Sequence, residues 1–264
     1  YACLDVNYRR LIMEFIFIVT GFFVIAAVYS SVGFGGGSSY LALLALPFFS
    51  LTPAVIRPTA LLCNIVVVTG SSWLFVTRHR IGIKTWLPYV VLSLPCAYLA
   101  GRWPISDKFF YLLLAATLII SSLLLWIGNS VRPFNHEQTG NPAVKSLLGG
   151  GIGFLSGLVS IGGGIFLTPI LHLLNWETAA VITGISSLFI LFNSIGGLAG
   201  QITSGIGQMD IAFILPILVA VIAGGQVGAR LGSGRFDATT IRKVTSLIIF
   251  IAALTILQTR IGLF

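Results

Sequence analysis

Charged side chains are scarce in this chain of 264 residues: only 8% are Asp, Glu, Lys or Arg, against roughly 25% in soluble globular domains. Acidic residues are the rarest, and all of them lie at or near the ends of apolar stretches: Asp5, Glu14, Asp107, Glu137, Glu177, Asp210 and Asp237. The sequence therefore offers no carboxylate in the middle of an apolar stretch, where it would be an obvious proton relay or sodium ligand if that stretch crossed a membrane.

Cysteine and histidine are also sparse, with three of each. Cys3, Cys63 and Cys96 have neither the spacing of a metal site nor that of a disulfide framework, so we expect packing roles, no metal and no cofactor. The enzyme alternative is an intramembrane hydrolase using Ser160 and His172. It is the least favoured interpretation, because the sequence around Ser160 lacks a Gly-x-Ser-x-Gly motif.

Apolar residues are abundant, at 56% of the chain. About 20 apolar residues cross the hydrocarbon core of a bilayer, and the stretches without Asp, Glu, Lys or Arg are near or above that length: 15–56, 58–77, 85–101, 109–131, 146–176, 178–209, 211–229 and 244–259. The pattern predicts an all-α polytopic membrane protein. The net charge of +8 comes from basic residues at segment ends, where anionic lipid headgroups rather than nucleic acid are the expected partner.

Two glycine triplets lie in stretches too long for a single span, 15–56 and 146–176. Three consecutive glycines make a helix end probable, since each costs about 1 kcal/mol in a helix. Broken helices at corresponding points of two halves indicate a transporter's binding site. The matching positions are Gly35, Gly36 and Gly37 in the first half and Gly162, Gly163 and Gly164 in the second.

Breaking the chain at these triplets predicts five helical segments in each half: 11–32, 38–49, 54–77, 84–101 and 108–127, then 143–160, 164–174, 178–200, 210–229 and 240–260. The second segment of each half is too short to be certain to cross, and a re-entrant hairpin is the alternative. If the first two segments enter and return together, the two halves have inverted topology. We therefore predict a first repeat at 1–131, a linker at 132–142 and a second repeat at 143–264. A weak excess of Lys and Arg on one face favours both termini outside.

These features resemble the TauE/SafE sulfite exporter family. The resemblance rests on the paired Gly-Gly-Gly turns, the segment ends Gly101-Arg102 and Gly228-Ala-Arg-Leu-Gly232, and two apolar halves in one short chain. It implies a multi-pass protein of the bacterial cytoplasmic (inner) membrane that moves a small sulfur-containing anion, such as sulfite, sulfoacetate or a similar organosulfonate. A passive anion channel shares every feature of the sequence and remains the alternative.

The candidate site is built around the two breaks. A helix that starts after a glycine triplet presents free backbone N–H groups and partial positive charge to an anion. The alternative is that the glycines only permit tight turns. The candidate binding residues are Gly35, Gly36, Gly37, Ser38, Ser39, Arg57, Asn64, Ser160, Gly162, Gly163, Gly164, Ser186, Ser187 and Asn193.

Two parts of this set have open alternatives. Arg57 lies just inside an apolar segment, where its guanidinium either meets the anion or snorkels to the lipid headgroups. The polar residues of the third segments, Asn64, Ser186, Ser187 and Asn193, either line the pathway or form hydrogen bonds between helices. The expected partners are the anionic substrate and membrane lipids, and a homodimer is left open.

Overall fold

A computed structural model describes residues 2–32, 35–46, 49, 51–78, 80–127, 140–174, 176–231 and 238–262. Within these ranges the chain is helical and contains no β-strand. A short π-helical turn, Leu257–Ile261, follows the last helix. The α-helices are α1 (Ala2–Val32), α2 (Gly37–Leu44), α3 (Pro53–Arg78), α4 (Ile83–Arg102), α5 (Asp107–Ile127), α6 (Pro142–Val159), α7 (Gly164–Leu174), α8 (Ala179–Thr203), α9 (Ile211–Leu231) and α10 (Ala238–Ile256).

The helices match the predicted segments closely, and the predicted fold class is confirmed. Seven of the described helices are long and apolar enough to cross a membrane. The largest difference is at α1, which begins at Ala2 rather than at position 11, because the helix extends through the polar residues before the apolar run. The next is at α2, which ends at Leu44 rather than at position 49. Pro47 lies just beyond this end, and a proline disfavours helical backbone in the residue before it. The predicted linker lies mostly outside the described residues, which resume at Gly140.

Glycine stripes bring two pairs of helices into close contact. On α6, a Cβ added at Gly149, Gly153 or Gly157 would overlap the backbone of α4. On α9, a Cβ at Gly224 or Gly228 would overlap the backbone of α1. The contacting residue numbers rise together in both pairs, so each pair is parallel. Glycines spaced four apart lie on one face of a helix, and this is the small-residue packing typical of membrane helices.

The central pair of helices, α3 and α8, runs antiparallel. Leu61 of α3 lies beside Gly197 of α8, and further along, Val68 and Ile190 both lie beside Gly35. Rising numbers on α3 therefore meet falling numbers on α8. The outer pair α5 and α10 is also antiparallel. Ser122 is hydrogen-bonded to Ser246. Earlier on α5, Tyr111 lies under the guanidinium of Arg260, which follows α10 in the chain.

The short helices α2 and α7 each begin at a break that lies beside the middle of α3 and α8. The break between α1 and α2 contacts Asn64 and Val68 of α3 at Gly35. The break between α6 and α7 contacts Asn64 of α3 and Ser194 of α8 at Gly162. These contacts lie about halfway along α3 and α8. Each break therefore lies deep among the long helices.

Candidate functional site

The two glycine breaks touch each other. A Cβ at Gly37 would overlap the carbonyl oxygen of Ile161 and the side-chain amide of Asn64. Asn64 Nδ2 donates a hydrogen bond of 3.0 Å to the same carbonyl of Ile161. One side chain of α3 therefore joins the break of the first half to the break of the second. Glycine at position 37 is required by this close approach.

The second break is a turn of left-handed backbone conformations. Ser160 caps α6 with φ of 67°, and Gly162 and Gly163 follow with φ of 88° and 82°. Glycine adopts such conformations without steric cost. For a serine the conformation is uncommon, and a non-glycine residue held there costs on the order of 1–3 kcal/mol. The backbone N–H of Ser160 donates to the carbonyl of Ser156, which closes the last turn of α6.

Arg57 is buried beside this turn, with 2% of its surface exposed. Its Nε donates a hydrogen bond of 3.2 Å to Ser160 Oγ, and its guanidinium carbon lies 5.9 Å from the centre of the Phe110 ring. Its Nη2 is buried and has no hydrogen-bond partner among the described residues. In the described part of the chain, no carboxylate lies within ion-pair distance of Arg57. The guanidinium therefore points into the protein and does not snorkel to the membrane surface.

Local sequence positions Arg57 in the first turns of α3. Pro58 has no N–H, so the carbonyl of Ala54 lacks its helical partner. The backbone N–H of Gln208, in the loop after α8, donates to that carbonyl at 2.9 Å. The proline thus ties the start of α3 to the end of α8 and holds Arg57 at their junction.

Gln201 completes the cluster around Ser160 and was missing from the sequence-predicted set. Its Nε2 donates a hydrogen bond of 2.8 Å to Ser160 Oγ, and its Oε1 is buried without a partner. The available signal was an amide side chain within the uncharged apolar stretch 178–209. Ser194, one and a half turns earlier on α8, also has a buried hydroxyl without a partner.

The other predicted residues differ in whether their polar atoms are used in hydrogen bonds within the protein. Ser186 accepts a hydrogen bond from Thr168 of α7, and Ser187 donates to the carbonyl of Thr183, which are structural contacts. Asn193 is 1% exposed and neither atom of its amide has a partner. The serines of α2, Ser38 and Ser39, are buried, and Ser39 is hydrogen-bonded to the hydroxyl of Tyr29 at 2.7 Å.

The structure therefore brings together the glycine triplets, Arg57, Asn64 and Ser160, and adds Gln201 and Ser194 to them. Over the described ranges, no group of three His, Cys, Asp or Glu side chains is placed to hold a metal ion. What the cluster offers is a single guanidinium, several neutral polar groups and the backbone N–H groups at the starts of two short helices. This combination suits an anion.

Comparison with known proteins identifies the family of this chain. The family described as "Sulfite exporter TauE/SafE" matches residues 17–256. The chain is similar to "Probable membrane transporter protein y4hK" of Sinorhizobium fredii, with 30% identity over 92% of this chain and 98% of that protein. It is also similar to "Probable membrane transporter protein YunE" of Bacillus subtilis, with 24% identity over 83% and 89% of the two chains.

A third relative is archaeal. "Probable membrane transporter protein MJ0441" of Methanocaldococcus jannaschii is 26% identical over 86% of this chain and 90% of its own length. No solved structure matches the chain. The family match covers most of the sequence, and the chain has the apolar helices of a multi-pass protein. The protein therefore belongs to the TauE/SafE family of membrane transporters and resides in the cytoplasmic membrane.

Proposed function

We propose that this transporter moves a small sulfur-containing oxyanion or organosulfonate, such as sulfite or sulfoacetate, by alternating access around one site between the two glycine breaks. The observation that carries the proposal is the buried Arg57, which has no carboxylate partner among the described residues and a free Nη2. A buried charge without compensation costs several kcal/mol. A bound anion supplies the missing charge.

The surroundings of Arg57 suit an oxyanion in three ways. The planar guanidinium matches the spacing of sulfonate or sulfite oxygens. Helices α2 and α7 begin at Gly37 and Gly164 and direct their N-terminal partial charge toward the breaks. The glycines between them allow the two breaks to meet, so both helix starts lie near the turn that Arg57 contacts. Each feature favours a negative ligand, and together they favour one site shared by both halves.

Alternating access follows from the proposed arrangement of the halves as inverted repeats, 1–131 and 143–264 joined by 132–142. The equivalent helices α3 and α8 are antiparallel, as are α5 and α10. In this arrangement α4 is equivalent to α9, and α6 is equivalent to α1. The contact between α4 and α6 therefore corresponds to the contact between α9 and α1. Inverted repeats around a central site allow one bundle to rock against the other.

Two other functions are less well supported. A passive anion channel would use the same site, and saturation with counterflow separates it from a transporter. In a hydrolase, Ser160 would need a general base to accept its proton. Its Oγ instead accepts hydrogen bonds from Arg57 and Gln201. This arrangement favours a non-catalytic role for Ser160.

A thermal-shift panel on the purified protein tests the substrate class. Sulfite, thiosulfate, sulfoacetate, taurine, sulfate and short carboxylates would be compared, because a ligand that binds the native state raises the unfolding temperature. We expect stabilisation by at least one sulfur oxyanion or sulfonate. Stabilisation only by cations or neutral solutes would overturn the proposal.

A further inference from the structure

The second break is surrounded by buried polar groups without hydrogen-bond partners. Among the described residues beside it, three buried side-chain oxygen atoms have no partner: Asn64 Oδ1, Ser194 Oγ and Gln201 Oε1. Gln201 shares Ser160 with Arg57. Asn64 Nδ2 and Ser194 Oγ each lie 3.0 Å from the position that a Cβ of Gly162 would occupy. All three side chains therefore lie beside the turn that Arg57 contacts.

The orientation of the Asn64 amide is fixed by its neighbour. Its Nδ2 donates to the backbone carbonyl of Ile161, and a carbonyl can only accept. If the amide were rotated by 180°, Asn64 Oδ1 would face the carbonyl oxygen of Ile161, and both atoms are acceptors. Nδ2 therefore faces Ile161, and Oδ1 is the atom without a partner among the described residues. That atom lies 3.3 Å from the position of a Cβ at Gly35 and is therefore directed at the first break. A buried acceptor of this kind favours a ligand that supplies a donor.

The charge of the site is a single positive unit in the described structure. The other buried cation among the described side chains is Lys145, which lies 3.7 Å from Glu177 and is neutralised by it. Lys145 precedes Ser160 by 15 residues, nearly all of them along α6. At about 1.5 Å per residue this is roughly 22 Å. Lys145 therefore does not add to the charge that faces the ligand.

We propose, on the basis of the function proposed above, that the site selects a singly charged sulfur oxyanion that itself carries a hydrogen-bond donor. A hydroxyalkyl sulfonate and bisulfite have this chemistry. Their one negative charge balances Arg57, and their O–H satisfies an acceptor such as Asn64 Oδ1. Within the substrate class proposed above, this favours bisulfite over sulfoacetate, because a dianion such as sulfate or sulfoacetate leaves one negative charge uncompensated in a buried site. A sulfonate without a donor leaves Asn64 Oδ1 unsatisfied.

Isothermal titration of the purified protein with a matched ligand series tests this inference. The series is 2-hydroxyethanesulfonate, ethanesulfonate, sulfoacetate and sulfate. We expect the hydroxyl to tighten binding about tenfold relative to ethanesulfonate, and both dianions to bind more weakly than either monoanion. If a dianion binds as tightly as the monoanions, or the hydroxyl has no effect, the inference is wrong and the proposed function stands. If no sulfur anion binds, the proposed function fails as well.

One variant assigns the acceptor. Asn64→Leu should reduce the advantage of 2-hydroxyethanesulfonate over ethanesulfonate to less than twofold. Ser72→Ala is the matched control, because Ser72 also has a buried hydroxyl without a partner on α3, two turns beyond Asn64. It should keep the full advantage. A hydroxyl advantage that persists in Asn64→Leu would contradict the assignment. The ligand series on the parent protein decides the selectivity even if Asn64→Leu does not fold.

Discussion

The Nε of Arg57 donates a hydrogen bond to Ser160 Oγ across 103 residues of sequence. Arg57 lies in the first turns of α3, and Ser160 caps α6 at the break of the second half. This contact joins the two halves at the point where the glycine turns meet. It fixes one edge of the guanidinium and leaves Nη2 for another partner.

Replacement of Arg57 by Lys should weaken substrate binding by at least about tenfold. Lysine keeps the charge but loses the planar fork and cannot hold Ser160 Oγ while it meets an oxyanion. Titration of the purified variant with the best sulfur anion measures the effect. Arg102→Lys is the matched control, because Arg102 is exposed at the end of α4. Equal affinity in Arg57→Lys and the parent protein would remove Arg57 from the site.

Replacement of Ser160 by Ala should lower both stability and affinity. The change leaves Arg57 Nε and Gln201 Nε2 without their acceptor, and a buried donor without a partner costs about 1–3 kcal/mol. The unfolding temperature in detergent measures the loss. Ser156→Ala is a useful comparison, because within the described ranges the hydroxyl of Ser156 donates to the carbonyl of Gly153 in its own helix. An unchanged unfolding temperature in Ser160→Ala would show that the cluster contributes nothing to stability.

Replacement of Gly37 by Ala should abolish transport. The added methyl group would overlap Ile161 and Asn64 and push the two breaks apart. Gly151→Ala is the control, because nothing lies within 4 Å of a Cβ at that position on α6. Uptake into cells that contain equal amounts of membrane-inserted protein is the measurement. Near-normal uptake by Gly37→Ala would mean that close contact between the breaks is dispensable.

The proposed inverted topology can be read with single cysteines in a variant whose Cys3, Cys63 and Cys96 are replaced by Ser. The substitutions Thr77→Cys and Ser233→Cys should react alike with an impermeant thiol reagent on intact cells. Ser106→Cys and Ser204→Cys should show the opposite pattern, and the weak basic bias predicts that the first pair is cytoplasmic and unreactive. Ser233 lies outside the described residues, so its labelling reports the side of the membrane independently of the structure. Like labelling of Thr77→Cys and Ser204→Cys would contradict the topology.

Much of the fold could be predicted from apolar run length and glycine alone. Stretches of about 20 apolar residues have few alternatives to a helix in lipid, and the triplets located both breaks. The glycines at spacings of four on α6 and α9 pack closely against α4 and α1, as is typical of small residues in membrane helices. The predictions that failed were boundaries: the start of α1, which extends into polar residues, and the end of α2, where Pro47 is near.

The site was harder to predict because its contacts are long-range. Nothing local in the sequence brings Gln201 or Arg57 to Ser160, since these contacts join α8 and α3 to the end of α6. The local pattern around Arg57 was compatible with snorkelling as well as with burial. The contacts of the guanidinium with Ser160 and with Phe110 of α5, and the burial of Arg57, decide between them.

The most direct test of the account is counterflow in proteoliposomes that contain only this protein. Liposomes loaded with unlabelled 2-hydroxyethanesulfonate or sulfite would be diluted into a trace of the labelled compound. A transporter with one anion site predicts transient accumulation of label above equilibrium, saturation with concentration, and loss of both in Arg57→Lys. Linear, non-saturating entry without overshoot, or no movement of any sulfur anion, would contradict the account.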